Sequence, residues 1–589
     1  MSDLSCFSGV SPSGTVNGCS GAYATKFHGV ASAAACAAKC VADASCVQFV
    51  FESAGATQDE PCRLSATCTK PHSTLVGWDG YLRNSTEGAC ATAPALGFGN
   101  ASHPGLWAPG MILQRDRPTS LWGTAPAGSR VTVSVASASG AALSVVSATT
   151  DPLGQWYAAL GTPVAASSGT VLSASADGHG AGASIADVSW GDVLLCGGQS
   201  NMGFGMCGAT SAAMSPTQAL AALPTGDDNP IRFFWQSGDS NGGAGSTAGP
   251  QNVCTDAVTK ATPQLQWIAA NATNAGAASA VCVLTAQRLR AALGGSVPVG
   301  VVESCVGGTN VEPWTPPRGA LYEAHIVPLL PMTFAAALWD QGEADAKRTN
   351  STWYASEFPA MVEGWRRALR TPALPFVYVE LCTEYGAAEP KEGDFWSAQR
   401  AVLALPATGF ATTTDIQRAL HPPDKMTVAD RLVLELSRLL HVPPAAPHSR
   451  GPELLSKAFA DGQLTLRFSN DLAVLPGQLL PCPACVVPTD SAANRSRCIA
   501  PPGTPCDGGC PAPVMQVMPG ARPGHGVRVA MPFEVHGNTV VINCTAGNAS
   551  TPVLINADTS ECFLYGPSQL PAPPLSLSCS AAQEQLTAP

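Results

Sequence analysis

The sequence predicts a multidomain protein of mixed α/β and β class. A domain built on a parallel sheet, with helices on both faces, is flanked by β-sandwich domains and preceded by a cysteine-rich module. Three observations carry this. From residue 187 to 442 apolar strand-like runs alternate with helical stretches, the pattern of a parallel sheet. On either side the runs are shorter and alternate apolar with polar, and 58 glycines and 50 prolines supply turns between them. The 589 residues exceed what one core holds, so several domains are expected.

In chain order, residues 1–92 hold eight cysteines, Cys6, Cys19, Cys36, Cys40, Cys46, Cys62, Cys68 and Cys90. Residues 31–41 have helical composition, with Cys36 and Cys40 one turn apart, and strands are expected at 46–51, 62–64 and 80–83. The Cys36-x3-Cys40-x5-Cys46 spacing, Cys62-Arg-Leu and Gly80-Tyr-Leu-Arg83 resemble a PAN/apple-like module. That likeness implies binding of a protein or glycan; a disulfide-stabilised cap without a ligand is the plainer alternative. Residues 101–186 alternate with period two, as in Arg130-Val-Thr-Val-Ser-Val135, and are read as a β-sandwich. Residues 187–442 form the α/β domain. Residues 443–589 return to β-strands, interrupted by a Pro/Cys-rich insertion at about 476–524.

Composition excludes several roles. The formal net charge is −11 with no long basic run, so nucleic acid is not an expected partner. No apolar run has membrane-spanning length. Met1-Ser-Asp-Leu4 does not read as a secretory leader. Yet 22 cysteines and seven N-x-[ST] sequons, at Asn84, Asn100, Asn271, Asn350, Asn494, Asn543 and Asn548, favour a secreted or lumenal glycoprotein with structural disulfides. Zinc at Cys482-x-x-Cys485 and Cys506-x3-Cys510 is the weaker reading, because no ligand histidines lie nearby; neither a metal nor a cofactor is expected.

The chemistry concentrates at strand ends. Val193-Leu-Leu-Cys196 reads as a buried strand, and Gly197-Gly198-Gln199-Ser200 as a sharp turn that presents a serine beside free backbone N–H groups. The G-x-S-x-G pattern is not matched. Three further strand ends carry Gly307-Gly-Thr-Asn310, Gln341-Gly-Glu343 and, after Gly409–Asp415, His421-Pro-Pro-Asp-Lys425.

Taken in order, Met111-Ile-Leu-Gln-Arg115, Leu121-Trp-Gly-Thr124, Gly191-Asp192, Gly198-Gln-Ser-Asn-Met202, Gly307-Gly-Thr-Asn-Val-Glu-Pro-Trp314, Gln341-Gly-Glu343, Phe358-Pro-Ala-Met-Val-Glu-Gly-Trp-Arg366, Ala398-Gln-Arg400 and His421-Pro-Pro-Asp-Lys425 resemble the sialate O-acetylesterase family of the SGNH hydrolase superfamily. The resemblance covers roughly residues 105–440. It implies Ser200 as nucleophile, His421 as general base, and an oxyanion hole from the N–H of Ser200, the N–H of Gly308 and the amide of Gln341. Asn201, Glu343 and Asp345 would then lie at the substrate, an O-acetylated carbohydrate. Two departures stand out. The aspartate that many superfamily members carry two or three residues before the histidine is replaced by Ala419 and Arg418, and Asp424 lies beyond two prolines, so a Ser–His dyad is expected, with Asp415 or a backbone carbonyl to orient the ring. Asp345 stands where an asparagine is usual, which bears on an acidic sugar. A carbohydrate acetylesterase acting on sialic acid is expected. Acetylated xylan or another polysaccharide is the close alternative, and an inactive carbohydrate-binding protein the rival from another class.

Overall fold

The computed structural model describes residues 95–99 and 104–579, except 152–153, 212–213, 224–229, 237–264, 318, 347–351, 382–392, 417–419, 443–450, 475–485, 489–513, 520–525, 531–532, 545–551, 556–563, 566–569 and 573–574. Before residue 95 it describes the backbone of seven strands. The chain forms two compact units, Met1–Trp190 with Pro331–Thr333, and Gly191–Leu330 with Phe334–Pro589.

In the first unit, Phe7–Gly9, Trp78–Arg83, Gln48–Glu52, Cys62–Ser65 and Thr25–Phe27 pair in that order, and Thr15–Cys19 pairs with Pro71–Val76. The strands expected at 46–51, 62–64 and 80–83 are present, whereas the helix expected at 31–41 lies outside the described residues. Residues 95–190 build two antiparallel sheets. One is Gln155–Ala159, Ser120–Thr124 and Gly97–Phe98; the other runs Ala142–Thr149, Arg130–Ala136, Ser167–Ala176 and the first part of His179–Gly198. Period-two alternation has its physical meaning here: Val131, Val133 and Val135 are buried while the residues between them are not.

The second unit contains the α/β layer. From Asp192 the strand His179–Gly198 pairs in parallel with Val299–Cys305 on one side and Ala336–Asp340 on the other. The full order is Trp267–Ala269, Ile231–Trp235, Val299–Cys305, the serine strand, Ala336–Asp340, Phe376–Val379 and Thr408–Ala411, parallel except for the first. The chain fills one side first, with Val299–Cys305 entering last beside the serine strand, and then builds outward on the other side from Ala336–Asp340, so the change of side falls at the serine strand. Open sheets of this kind form their crevice at the carboxyl end of that point.

Both sheet faces are covered, so these strands are mainly apolar. Leu194, Cys196, Val301 and Leu338 face a core completed by the helices Ala280–Ala292 and Lys425–Leu439. A disulfide, Cys196–Cys282, ties the serine strand to the first of them. The opposite face is aromatic: Trp339 packs edge-on against Trp314 and Trp365, with Phe358 and Phe376 alongside. The helix Thr352–Ala368 supplies Phe358 and Trp365.

The strand Ile231–Trp235 is absent from the sequence reading. The C-terminal region forms its own antiparallel sheets, including Leu454–Ala460, Gln463–Phe468, Thr539–Asn543 and Phe533–His536. It is closed by the disulfide Cys544–Cys579. Cys482, Cys485, Cys506 and Cys510 lie outside the described residues. Among the described residues no cluster of His, Cys, Asp and Glu is arranged to hold a metal, and no helix is long and apolar enough to cross a membrane.

Candidate active site

Two glycines make the serine turn, each for a different reason. A Cβ on Gly197 would meet the Trp365 ring at 2.9 Å, so the aromatic layer demands a bare backbone there. Gly198 has φ +139°, and a Cβ on it would lie 2.2 Å from the Asp340 carbonyl oxygen. The turn is pinned on both flanks: Gln199 N–H donates to the Asp340 carbonyl at 3.0 Å, and Val306 N–H to the Gly198 carbonyl at 3.0 Å. Ser200 follows, half-buried, its N–H free of hydrogen bonds among the described residues.

Opposite it stands His421, whose Nε2 is 2.8 Å from Ser200 Oγ. Burial, and then the nearby Lys425 cation, hold the imidazole below its ordinary pKa. The ring is therefore neutral at neutral pH, the form that accepts a proton.

Asp415, the candidate orienter, makes a bidentate pair with Arg431 instead, at 2.6 and 2.7 Å, and accepts from Tyr565 Oη at 3.3 Å. Arg431 also donates to the Thr412 carbonyl at 2.7 Å. Asp424 caps the helix Lys425–Leu439, accepting from the Thr427 N–H and hydroxyl. No hydrogen bond joins a carboxylate to His421 among the described residues, and residues 416–420 contain no acid.

The oxyanion candidates divide. Gly308 is exposed at φ +73° with open space about it, and its N–H makes no hydrogen bond among the described residues. Gln341 is fully buried, and its amide is spoken for. Its Nε2 donates to the Thr309 carbonyl at 2.9 Å and to Asp345 Oδ2 at 2.5 Å, while its Oε1 accepts from Tyr354 Oη at 3.1 Å. The expectation of a free third donor is corrected accordingly, because both amide hydrogens are engaged. Thr309 is held further by Trp314 Nε1 on its Oγ1 and by its own hydroxyl on the Val306 carbonyl.

The three residues expected at the substrate are also placed differently. Asp345 is 3% exposed and accepts from the Val311 N–H as well as from Gln341, so it is an internal anchor of the Gly307-Gly308 loop. Glu343 is 2% exposed and accepts from Asn201. Asn201 is 5% exposed and spans three partners, Glu343, the Leu420 carbonyl at 3.0 Å, and Lys425 Nζ at 2.6 Å. Burial raises the Glu343 carboxyl to about 7 and that of neighbouring Asp340 to about 6, with the Lys425 cation acting in the opposite sense on both.

Lys425, Asp340 and Arg431 are the site residues that sequence reasoning missed. One of them left a trace. A lysine as the first residue of a helix is opposed by the macrodipole, so its presence there asks for a local anion.

Comparison with known proteins finds similarity to carbohydrate esterases. A family model described as carbohydrate esterase, sialic acid-specific acetylesterase, matches residues 236–427, a span that includes Gly308, Gln341 and His421. Human sialate O-acetylesterase is 27% identical over 304 residues, 42% of this chain and 53% of the relative. The Rattus norvegicus sialate O-acetylesterase is 26% identical over 411 residues, 55% of this chain and 70% of the relative. The matched region thus spans about half the length of the human relative. The crystal structure of a carbohydrate acetylesterase from Xanthomonas citri superposes with a TM-score of 0.61 at 27% identity, covering 81% of this chain and 99% of that one. Residues 236–427 thus resemble the carbohydrate-esterase, sialate O-acetylesterase-like family.

Proposed function

We propose that the protein is a carbohydrate O-acetylesterase that works through an acetyl-Ser200 intermediate. The observation that carries this is the 2.8 Å contact between Ser200 Oγ and His421 Nε2 at the carboxyl end of the central strand, with the imidazole held in its neutral form. As Ser200 Oγ attacks the acetyl carbonyl, Nε2 takes its proton. The imidazolium then protonates the departing sugar oxygen, and the regenerated base deprotonates a water that hydrolyses the acetyl-serine. The developing oxyanion is met by the N–H groups of Ser200 and Gly308, each typically worth roughly 100- to 1000-fold in turnover. Gln341 supports this indirectly by holding Thr309 beside Gly308.

Among the described residues no carboxylate bonds to the ring, so we read the arrangement as a dyad, with Asp415 serving the loop's structure. Hydrolysis of a chromogenic acetate ester tests the assignment. Ser200→Ala is expected to abolish turnover and His421→Ala to lower it by about 1000-fold or more, while Asp415→Ala stays within about tenfold of wild type. A purified wild-type protein without turnover, unchanged by Ser200→Ala, means a binding protein; turnover that survives in Ser200→Ala means another nucleophile; equal losses at His421 and Asp415 mean a triad.

The substrate reading is an O-acetylated sialic acid, supported by the family model and by the names of the curated relatives. Asp345, whose charge bears on an acidic sugar, is buried and accepts from Gln341 and the Val311 N–H, so its carboxylate faces the loop. Acetate release from O-acetylated sialic acid against acetylated xylan distinguishes the two substrate classes. For residues 1–92, the PAN/apple-like reading as a glycan- or protein-binding module rests on cysteine spacing and the paired strands.

A further inference from the structure

Ser200 and His421 lie 221 residues apart and come from different elements, a strand-end turn and the loop before a helix. Their mutual hydrogen bond contributes only about 1 kcal/mol net and cannot by itself set the two backbones. We propose that Asn201 is the positioning residue that fixes this geometry, a staple clamped by Lys425 and Glu343, with no part in binding substrate. The inference rests on the esterase reading above.

The staple grips the histidine loop on both sides. Asn201 Nδ2 donates to the carbonyl of Leu420, the residue just before His421, and Oδ1 accepts from Lys425, four residues after it. The second Nδ2 hydrogen goes to Glu343 Oε1, which anchors the side chain to the strand-end segment that follows Asp340. Both Nδ2 hydrogens and Oδ1 are engaged, and the side chain is buried, so the amide is not presented to a sugar hydroxyl. The contacts to Lys425 and Glu343 join an ionisable partner, the stronger class of hydrogen bond. All three residues are nine-tenths or more buried, so water does not compete for them.

Lys425 is the costly part of this device. It sits where the helix dipole opposes a cation, in a buried site. What holds it there is local: Asn201 Oδ1, the nearby carboxyls of Asp340 and Glu343, and the Phe204 ring 5.1 Å away. Its charge also faces His421 and favours the neutral ring. Asp424, the other ionisable group at this helix start, is turned toward Thr427.

Kinetics of the full chain on a chromogenic acetate ester read the staple. Asn201→Ala is expected to lower kcat by about 100-fold, the cost of a misplacement near 1 Å, with KM within about twofold. Lys425→Met is expected to lower kcat and to move the acid limb of the kcat/KM profile to higher pH, because loss of the cation lets the His421 pKa rise; Lys425→Arg restores the position of that limb. A raised KM with unchanged kcat in Asn201→Ala would make Asn201 a substrate ligand and overturn the proposal. Should Lys425→Met fail to fold, Asn201→Ala carries the test alone, since it leaves the lysine facing both carboxyls. A crystal structure of Asn201→Ala is independent of turnover, and so of the esterase reading. Separation of Ser200 Oγ from His421 Nε2 beyond hydrogen-bond distance is expected; retention at 2.8 Å contradicts the staple.

Discussion

At the scale of single residues, the buried ion pair of Asp415 and Arg431 shows how position in sequence misleads about role. Both side chains are about nine-tenths buried. Removing one partner of such a pair leaves an uncompensated charge and typically costs about 3–5 kcal/mol. Asp415→Asn is therefore expected to lower the unfolding temperature of the full chain while leaving most of its turnover. A thermal melt beside an activity assay checks this, and loss of turnover with an unchanged melt contradicts it. Ser200 and His421 were legible because a strand-end glycine turn and a His-Pro-Pro loop are local patterns. The engagement of Gln341 and Asp345 was not legible. Their partners, the Thr309 carbonyl and the Val311 N–H, are brought to them by a neighbouring strand end, and nothing in Gln341-Gly-Glu343 itself reports which way the amide turns. Asp345 drew notice as a departure from the family pattern, yet its charge is turned inward.

At the scale of elements, the parallel strands announced themselves as apolar runs, since a sheet covered on both faces needs mainly apolar side chains. Ile231–Trp235 escaped because a five-residue run carrying Arg232 has neither the length nor the period to stand out. Glu303 is a buried carboxyl within these strands. It lies in Val299–Cys305, 1% exposed, accepting from the Ser279 N–H at 3.0 Å where the helix Ala280–Ala292 begins. Ser279 in turn donates through its hydroxyl to the Met202 carbonyl at 2.5 Å, just past the serine turn. Burial raises the Glu303 carboxyl from 4.5 to about 7. Because the folded pKa lies above the unfolded one, the native state holds the extra proton. The stability this contributes is full below about pH 4.5 and is lost as pH rises through about 7, a change of roughly 3 kcal/mol at 1.36 kcal/mol per pKa unit. Glu303→Gln, which stays neutral, is expected to match wild type near pH 4.5 and to melt at a higher temperature at pH 8. An identical pH dependence in both chains contradicts this.

At the scale of the whole molecule, the second unit joins the α/β layer to the C-terminal strands, and Tyr565 is one contact between them, donating to Asp415 at the base of the histidine loop. Disulfides recur through it, Cys196–Cys282 beside the serine strand and Cys544–Cys579 at the C-terminal sheets, while Cys305 is a free cysteine. Cysteine count alone pointed to such bridges, but pairing depends on which strand ends meet, information that spacing does not hold. The account's central claim is that one serine in the full chain is activated, by His421 alone. Reaction with a fluorophosphonate, which acylates activated serines, followed by peptide mass mapping tests this most directly. The account predicts a single adduct on Ser200, absent from His421→Ala and present in Asp415→Ala. An adduct on another residue, or an Ser200 adduct that persists without His421, contradicts it.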